Sequence, residues 1–244
     1  MPSVIFAYID EPPFAIPTGG AWPGGCDAAL AQSVLNVMGV HDAGTRLVTF
    51  DELLDGVARH LWTLNTGIFI SDERKKHVRF SRPIWGLCDG LMMQRRHGQI
   101  FATYERIGRD ASARLGIVKG QVQRETALSA GVPAERIAIF ATPEQALAAL
   151  RSGAISAYAS VAMAHRGLLQ RSPDDTLTFS DLGAPEFSGC AGSVPAFGAF
   201  SCAKDDAAFA DALDDALAQF LGSPAHIEMM AHYGFRVKDG IALA

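Results

Sequence analysis

Thr66-Gly67-Ile68-Phe69-Ile70-Ser71-Asp72-Glu73-Arg74-Lys75-Lys76-His77-Val78-Arg79-Phe80-Ser81-Arg82-Pro83 is the stretch on which the reading of this chain turns. Ile68-Phe69-Ile70 reads as a strand, because β-branched and aromatic side chains suit a pleated, buried surface. It runs into a polar turn at Ser71-Asp72-Glu73-Arg74. An arginine at the end of a buried strand can aim two parallel N–H groups at one carboxylate, which a lysine cannot do. Arg74 is therefore the candidate for holding an acidic ligand group. The bland alternative is a pairing with Asp72, Glu73 or another surface acid. Lys75, Lys76, Arg79 and Arg82 read as the solvated basic face of the turn.

Strands and helices alternate on both sides of this stretch. Residues 4–9 read as a strand and 27–37 as a helix with Leu30, Val34 and Val37 on one face. Pro12, Pro13, Pro17 and the glycines at 19, 20, 24 and 25 make the long turn region that separates them. Residues 47–50 read as a strand, with Asp51 capping the helix that follows. Further on, strands are expected at 114–119, 137–140, 157–161 and 199–203, with a helix at 122–130. Thr142 and Pro143 open another helix, which Gly153 ends. Phe209, Leu213, Leu217, Phe220 and Leu221 form a helical stripe. Strand, acidic cap, helix, strand occurs near 47–70 and again near 137–161. The pattern means α/β with largely parallel sheets and points to two similar lobes, an arrangement that often holds a small ligand in a cleft.

Composition narrows the function. The chain has 244 residues, of which 49% are hydrophobic and 19% charged. That is enough apolar material for a folded core and excludes disorder as the dominant state. No charge-free apolar run reaches the roughly 18 residues of a membrane span. The formal net charge of −5 argues against general nucleic-acid binding. Cys26, Cys88, Cys190 and Cys202 show no CxxC spacing. They read as small buried side chains or as two disulfides in one of three pairings. Nucleotide-phosphate loops, a GxSxG elbow and HExxH are missing, so no metal or cofactor is expected. Met1-Pro2-Ser3 leads straight into the first strand, with neither the basic nor the apolar region of a signal peptide, which fits either a cytoplasmic protein or one whose leader has been removed.

The segment at 66–83 resembles the periplasmic amino-acid-binding proteins of ABC importers, in which a strand runs into S-I-T-x-E-R-x-x-x-V-x-F-S-x-P-Y. Here the matching residues are Phe69-Ile70-Ser71-Asp72-Glu73-Arg74, Val78, Phe80-Ser81 and Pro83. Glu11-Pro12-Pro13-Phe14 is similar to the family's x-P-P-F, and Gly25-Cys26-Asp27 with Leu30-Ala31 to its G-x-D-x-x-L-A. Glu144, Ala146-Leu147, Leu150 and Gly153-Ala154-Ile155-Ser156-Ala157 follow its E-A-L-x-A-L-x-x-G-x-x-D-A. Phe200 with Lys204-Asp205-Asp206, and Met229 with Tyr233-Gly234-Phe235, extend the resemblance over essentially the whole chain.

The resemblance implies a type II periplasmic binding protein fold: two Rossmann-like α/β lobes joined by two crossover strands, with the ligand enclosed between them. Lobe one would be residues 1–88 plus 189–244, and lobe two 89–188. It implies a non-catalytic, monomeric, periplasmic protein that delivers its ligand to an ABC permease in the membrane, with the export signal absent from the chain as given. Arg74 would bind the ligand's α-carboxylate. Two other roles share the fold: an enzyme resembling cyclohexadienyl dehydratase, for which Asp10, Glu11, Asp89 and Glu186 are the nearest acids, and a ligand-sensing module of a receptor.

Several departures from the family pattern bear on the ligand. Phe69 stands where a small hydroxyl residue is usual. The aspartate that pairs with the α-ammonium falls at Val161, or at Ser160 if the register slips by one, and the G-T-T segment is Gly120-Gln121-Val122. A primary ammonium has three donors and is costly to bury without acceptors. In the family Phe14, Phe50 and Phe69 face the cleft, and aromatic faces suit a delocalised or alkylated cation. Glu11 could pair with the N–H groups of a cyclic amidinium. The pattern is similar to the ectoine and hydroxyectoine binders of the family. The expected ligand is a small zwitterion such as ectoine, a betaine or a cyclic imino acid. The candidate binding residues are Glu11, Phe14, Phe50, Gly67, Phe69 and Arg74 on lobe one, with Gln121, Val122 and Ser160 on lobe two.

Overall fold

The computed structural model describes residues 4–235. In chain order the elements are β1 (Ile5–Tyr8), α1 (Cys26–Val37), β2 (Gly44–Leu47), α2 (Phe50–Ala58), β3 (Leu64–Phe69), α3 (Asp72–Lys75), β4 (Val78–Phe80), β5 (Trp85–Leu87) and β6 (Asp89–Gln94). They continue with α4 (Tyr104–Arg109), β7 (Leu115–Val118), α5 (Gln123–Ser129), β8 (Ile137–Phe140), α6 (Pro143–Ser152), β9 (Ala157–Val161), α7 (Ala162–Arg171), β10 (Leu177–Asp181), β11 (Ala196–Ala203), α8 (Ala207–Phe220) and α9 (Pro224–His232). The chain divides into two compact units: Met1–Gly86 with Phe197–Ala244, and Leu87–Ala196. It crosses from one unit to the other at 86/87 and 196/197, where the sequence reading placed the crossings at 88/89 and 188/189.

The first unit carries a sheet in the order β2-β1-β3-β11-β4, with β5 paired to β11. β1 runs parallel to β2 and β3, while β11 is antiparallel to β3 and β4. One cluster of its core holds Ala7, Leu53, Val57, Trp62, Ile68 and Val78. The second unit carries the order β10-β6-β9-β7-β8, parallel through β9, β7 and β8 and antiparallel where β6 meets β9 and β10. β6 lies inside that sheet, and its side chains are buried on both faces along its whole length. Leu91 and Met93 enter one core cluster with Tyr104 and Leu115, and Met92 enters the other with Leu150 and Tyr158. A strand buried on both faces has no apolar–polar alternation. For that reason the run Asp89-Gly90-Leu91-Met92-Met93-Gln94 gave no strand signal.

Most of the expected elements form, with shifted ends. The strand expected at 47–50 lies earlier, at Gly44–Leu47, and Phe50 opens α2. The cap is Thr49, not Asp51. Glu52 reaches back to the Thr49 N–H at 2.7 Å and its hydroxyl at 2.8 Å, and this capping box fixes where the helix starts. α5 begins one residue later than expected, after Val122. α6 follows the sequence closely: Thr142 caps it, Pro143 stands in its first turn, and Gly153 ends it with φ of 79°. In α8 Leu213 and Leu217 are buried, as their stripe requires. Among the described residues the four cysteines form no disulfide, Cys26 and Cys202 being buried and Cys88 and Cys190 half-buried. Among the described residues no helix is long and apolar enough to cross a membrane.

Candidate functional site

In each unit the candidate residues cluster just beyond the C-terminal ends of parallel strands, where open α/β sheets bind ligands. Glu11 and Phe14 follow β1, Phe50 follows β2, and Phe69 and Arg74 stand at and after the end of β3. In the second unit Gln121 and Val122 follow β7, and Ser160 lies near the end of β9.

Arg74 owes its position to α3. The Ser71 hydroxyl accepts the Arg74 N–H at 3.2 Å and so starts the helical turn. The side chain folds back onto the strand it follows. One Nη donates to the Phe69 carbonyl at 2.7 Å, and the guanidinium lies 5.4 Å from the centre of the Phe50 ring. Only 7% of the residue is exposed. Burial lowers its pKa to about 10, so it stays charged at neutral pH. The adjacent acids pair elsewhere: Asp72 with Lys75 at 3.0 Å, and Glu73 with Lys76 and with His77 at 3.7 Å. The exposed lysines thus act as the solvated face, and the arginine is the buried cation of the turn.

The aromatic residues meet through a side chain that the sequence reading did not single out. Trp85 lies 5.5 Å from Phe14, tilted by 41°, and 5.2 Å from Phe69, edge to face at 90°. Phe235 meets Phe14 on a further edge at 6.3 Å. The Trp85 indole N–H donates to Asp27 Oδ1 at 3.0 Å. Asp27 Oδ2 accepts from the Thr66 hydroxyl at 2.9 Å and the Gly67 N–H at 2.8 Å. Asp27 thereby joins the first turn of α1, the strand β3 and Trp85. Its carboxylate also sits favourably at a helix N-terminus. Burial, only partly offset by these hydrogen bonds, raises its pKa to about 6. The Phe14 segment is seated on the same helix start: Cys26 N donates to the Pro13 carbonyl and Asp27 N to the Phe14 carbonyl, both at 2.9 Å. Gly25 permits that approach, because a Cβ there would lie 2.4 Å from the Phe14 carbonyl oxygen and its φ is +103°.

Glu11 begins the turn that presents Phe14, whose N–H donates to the Glu11 carbonyl at 2.9 Å. Burial first, and the charge of Asp27 second, raise the Glu11 pKa to about 7. The first unit therefore brings together a buried arginine, a group of aromatic faces, the buried acid Asp27 and the half-buried Glu11. Gly67 enters as a backbone donor to Asp27.

In the second unit Val122 precedes α5, with Gln121 before it, and Ser160 is buried on β9 opposite Gly90. Val161, the other position for the family's aspartate, lies opposite Asp89 in the ladder. Asp89 is an acid, but it holds its own unit together. Tyr104 donates to one oxygen and Gln123 to the other, both at 2.8 Å, and burial raises its pKa to about 6. The remaining acids of the enzyme alternative, Asp10 and Glu186, are exposed. Among the described residues no group of three or more His, Cys, Asp or Glu side chains is placed to hold a metal ion.

Residues 4–234 match the bacterial extracellular solute-binding proteins, family 3. The chain belongs to that family. It is 26% identical over 216 residues to a probable amino-acid ABC transporter periplasmic-binding protein, y4tE, of Sinorhizobium fredii, covering 86% of this chain and 70% of that one. Its fold matches the crystal structure of EhuB in complex with hydroxyectoine at a TM-score of 0.84 and 23% identity, over 96% of this chain and 89% of that one. A histidine kinase sensor domain with similarity to periplasmic binding proteins matches at 0.81 and 15% identity, over 95% and 96%. This solute-binding protein is thus a mixed α/β chain of the type II periplasmic binding class, with strand-and-helix units of the kind the segment at 66–83 announced.

Proposed function

We propose that this solute-binding protein captures a small zwitterion carrying one carboxylate and a delocalised or alkylated cation, of the ectoine or betaine kind, and delivers it to an ABC permease at the outer face of the cytoplasmic membrane. The observation that carries the reading is the pairing of the buried Arg74 with the aromatic residues Phe14, Phe50 and Phe69 in one unit. Arg74 takes the carboxylate through parallel N–H groups. The rings take the cation, at about 0.5–2 kcal/mol each. Glu11 accepts from any N–H the cation retains. Gln121, Val122 and Ser160, the candidates of the second unit, include no acid of the kind an ordinary α-ammonium calls for. The likeness to EhuB, crystallised with hydroxyectoine, supports the same class of ligand. A carrier role is favoured over catalysis because Asp89, the buried acid of the second unit, is engaged by Tyr104 and Gln123.

Titration calorimetry of the whole protein with ectoine, proline betaine and the common amino acids tests this. Micromolar binding of ectoine or a betaine, with the common α-amino acids at least tenfold weaker, is expected. Micromolar binding of a common amino acid beside millimolar or absent binding of the cationic zwitterions would overturn it.

A further inference from the structure

We propose that Trp85 is the positioning residue of the ligand site: pinned by Asp27, it sets the orientation of Phe14 and Phe69 and so determines which cations the rings accept. The inference rests on the ligand reading above and goes beyond it to a residue outside the ligand-contacting set. Trp85 is 3% exposed, so its part is played through its neighbours. Its ring is the one that both phenylalanines touch, at 5.5 and 5.2 Å. Two glycines leave the indole its seat. A Cβ on Gly198 would lie 2.1 Å from its ring carbons, and one on Gly67 would lie 2.9 Å from its nitrogen. Gly198 is opposite Phe69 in the ladder, so the strand that seats the indole also pairs with the strand that presents the ring.

The hydrogen bond to Asp27 removes the remaining freedom. A tryptophan confined only by packing could rock about its side-chain torsions. One whose N–H meets a buried carboxylate at 3.0 Å is fixed along the ring plane as well. Asp27 is itself held by Thr66 and Gly67, so the indole is referred to the backbone of β3, the strand that ends at Phe69. Edge-to-face and tilted ring contacts depend on relative orientation. A cation bound on ring faces therefore senses this arrangement although it does not touch the indole.

The test compares wild type, Trp85→Phe and Asp27→Asn in two measurements. Calorimetry with proline betaine and ectoine reads function. NMR of the ligand-free proteins, with labelled phenylalanine rings and the indole N–H resonance of Trp85, reads position. Both variants are expected to fold, to weaken both ligands about tenfold or more, and to shift or broaden the ring signals of Phe14 and Phe69. Asp27→Asn should also move the indole N–H signal. A merely structural tryptophan would lower the melting temperature yet leave the affinities of both variants, and the Phe14 and Phe69 ring signals of Asp27→Asn, at their wild-type values, and that result would overturn the proposal. If wild type binds neither ligand, the ligand reading fails by itself. Unchanged ring signals in Asp27→Asn, which keeps the indole and its ring current, would then overturn the positioning role, and shifted ones would support it. Should Trp85→Phe not fold, Asp27→Asn carries the same two measurements.

Discussion

Each unit buries an aspartate beyond or beside the ends of its parallel strands, and the two are put to different use. Asp27 accepts from Thr66, Gly67 and Trp85, and through Trp85 it reaches the aromatic residues next to Arg74. Asp89 accepts from Tyr104 and Gln123, which tie α4 and α5 to β6. Burial raises both to about pKa 6. The same desolvated carboxylate therefore anchors an aromatic group in one unit and serves as an internal brace in the other. What separates them is the chemistry of their donors, and the candidate ligand groups are correspondingly concentrated in the first unit.

The largest effect expected from breaking this comparison is on binding. Arg74→Ala removes one partner of a buried charge-assisted contact, at a cost of about 2–5 kcal/mol. Ligand at about 100 times the wild-type dissociation constant, which adds about 2.7 kcal/mol to wild type, should then no longer raise the melting temperature, while the ligand-free variant stays folded. A retained shift of several degrees removes Arg74 from the site.

Next comes the contrast between Asp27→Asn and Asp89→Asn. An asparagine offers one acceptor where aspartate offers two. The Tyr104 hydroxyl and the Gln123 amide can both reverse their roles, so Asp89→Asn should cost less than about 1 kcal/mol. At Asp27, two of the donors are the Gly67 and Trp85 N–H groups, which cannot reverse. One is left unpaired, at about 1–3 kcal/mol. Denaturant unfolding of the two variants checks the difference, and equal losses would show that the two carboxylates are equivalent braces.

A smaller effect is expected at Phe50, whose ring lies against Arg74. Phe50→Leu keeps apolar bulk and removes the π face, so cation binding should weaken by about 0.5–2 kcal/mol. Calorimetry reads this directly, and affinity equal to wild type assigns Phe50 to packing alone.

The smallest effect, and the finest discrimination, comes from pH. Glu11 is raised to about 7. A cation that pairs with its carboxylate must displace the proton below that value. Affinity should therefore fall as pH drops below about 7, by up to roughly tenfold per unit, and level off above it. Proton uptake by the buffer during calorimetry checks the sign, and Glu11→Gln should abolish the slope. The ligand-free protein should show the opposite trend from the same acids. Glu11, Asp27 and Asp89 bind protons more tightly folded than unfolded, so their contribution is full below about pH 4 and is lost as pH rises through 6 to 7. His165, buried and lowered to about 4, acts in reverse: its contribution is full above its ordinary 6.5 and is lost as pH falls through 4. Melting curves across pH 4 to 8 separate the two trends.

The α/β class, most of the strands and helices, the caps at Thr142 and Gly153, and the placement of Arg74 at the end of a buried strand are legible in the chain's own residues. These features are local. Capping residues, apolar periodicity and the strand-to-turn change at Ile70-Ser71 act over a few neighbouring residues, so they are written where they operate. β6 was not legible, because burial on both faces erases the alternation that marks a strand. The cap at Thr49 was missed because Asp51 offered a competing signal two positions on, and only the reach of Glu52 decides between them. Among the candidate ligand residues, Arg74, Phe14 and Phe69 were visible through their pattern. The role of Trp85 was not. Its meaning depends on Asp27 from another element, on Phe14 and Phe69, and on the space left by Gly67 and Gly198. Contacts among residues so far apart in the chain arise only when the sheet is assembled, and tertiary structure alone joins this buried tryptophan to Asp27, Phe14 and Phe69.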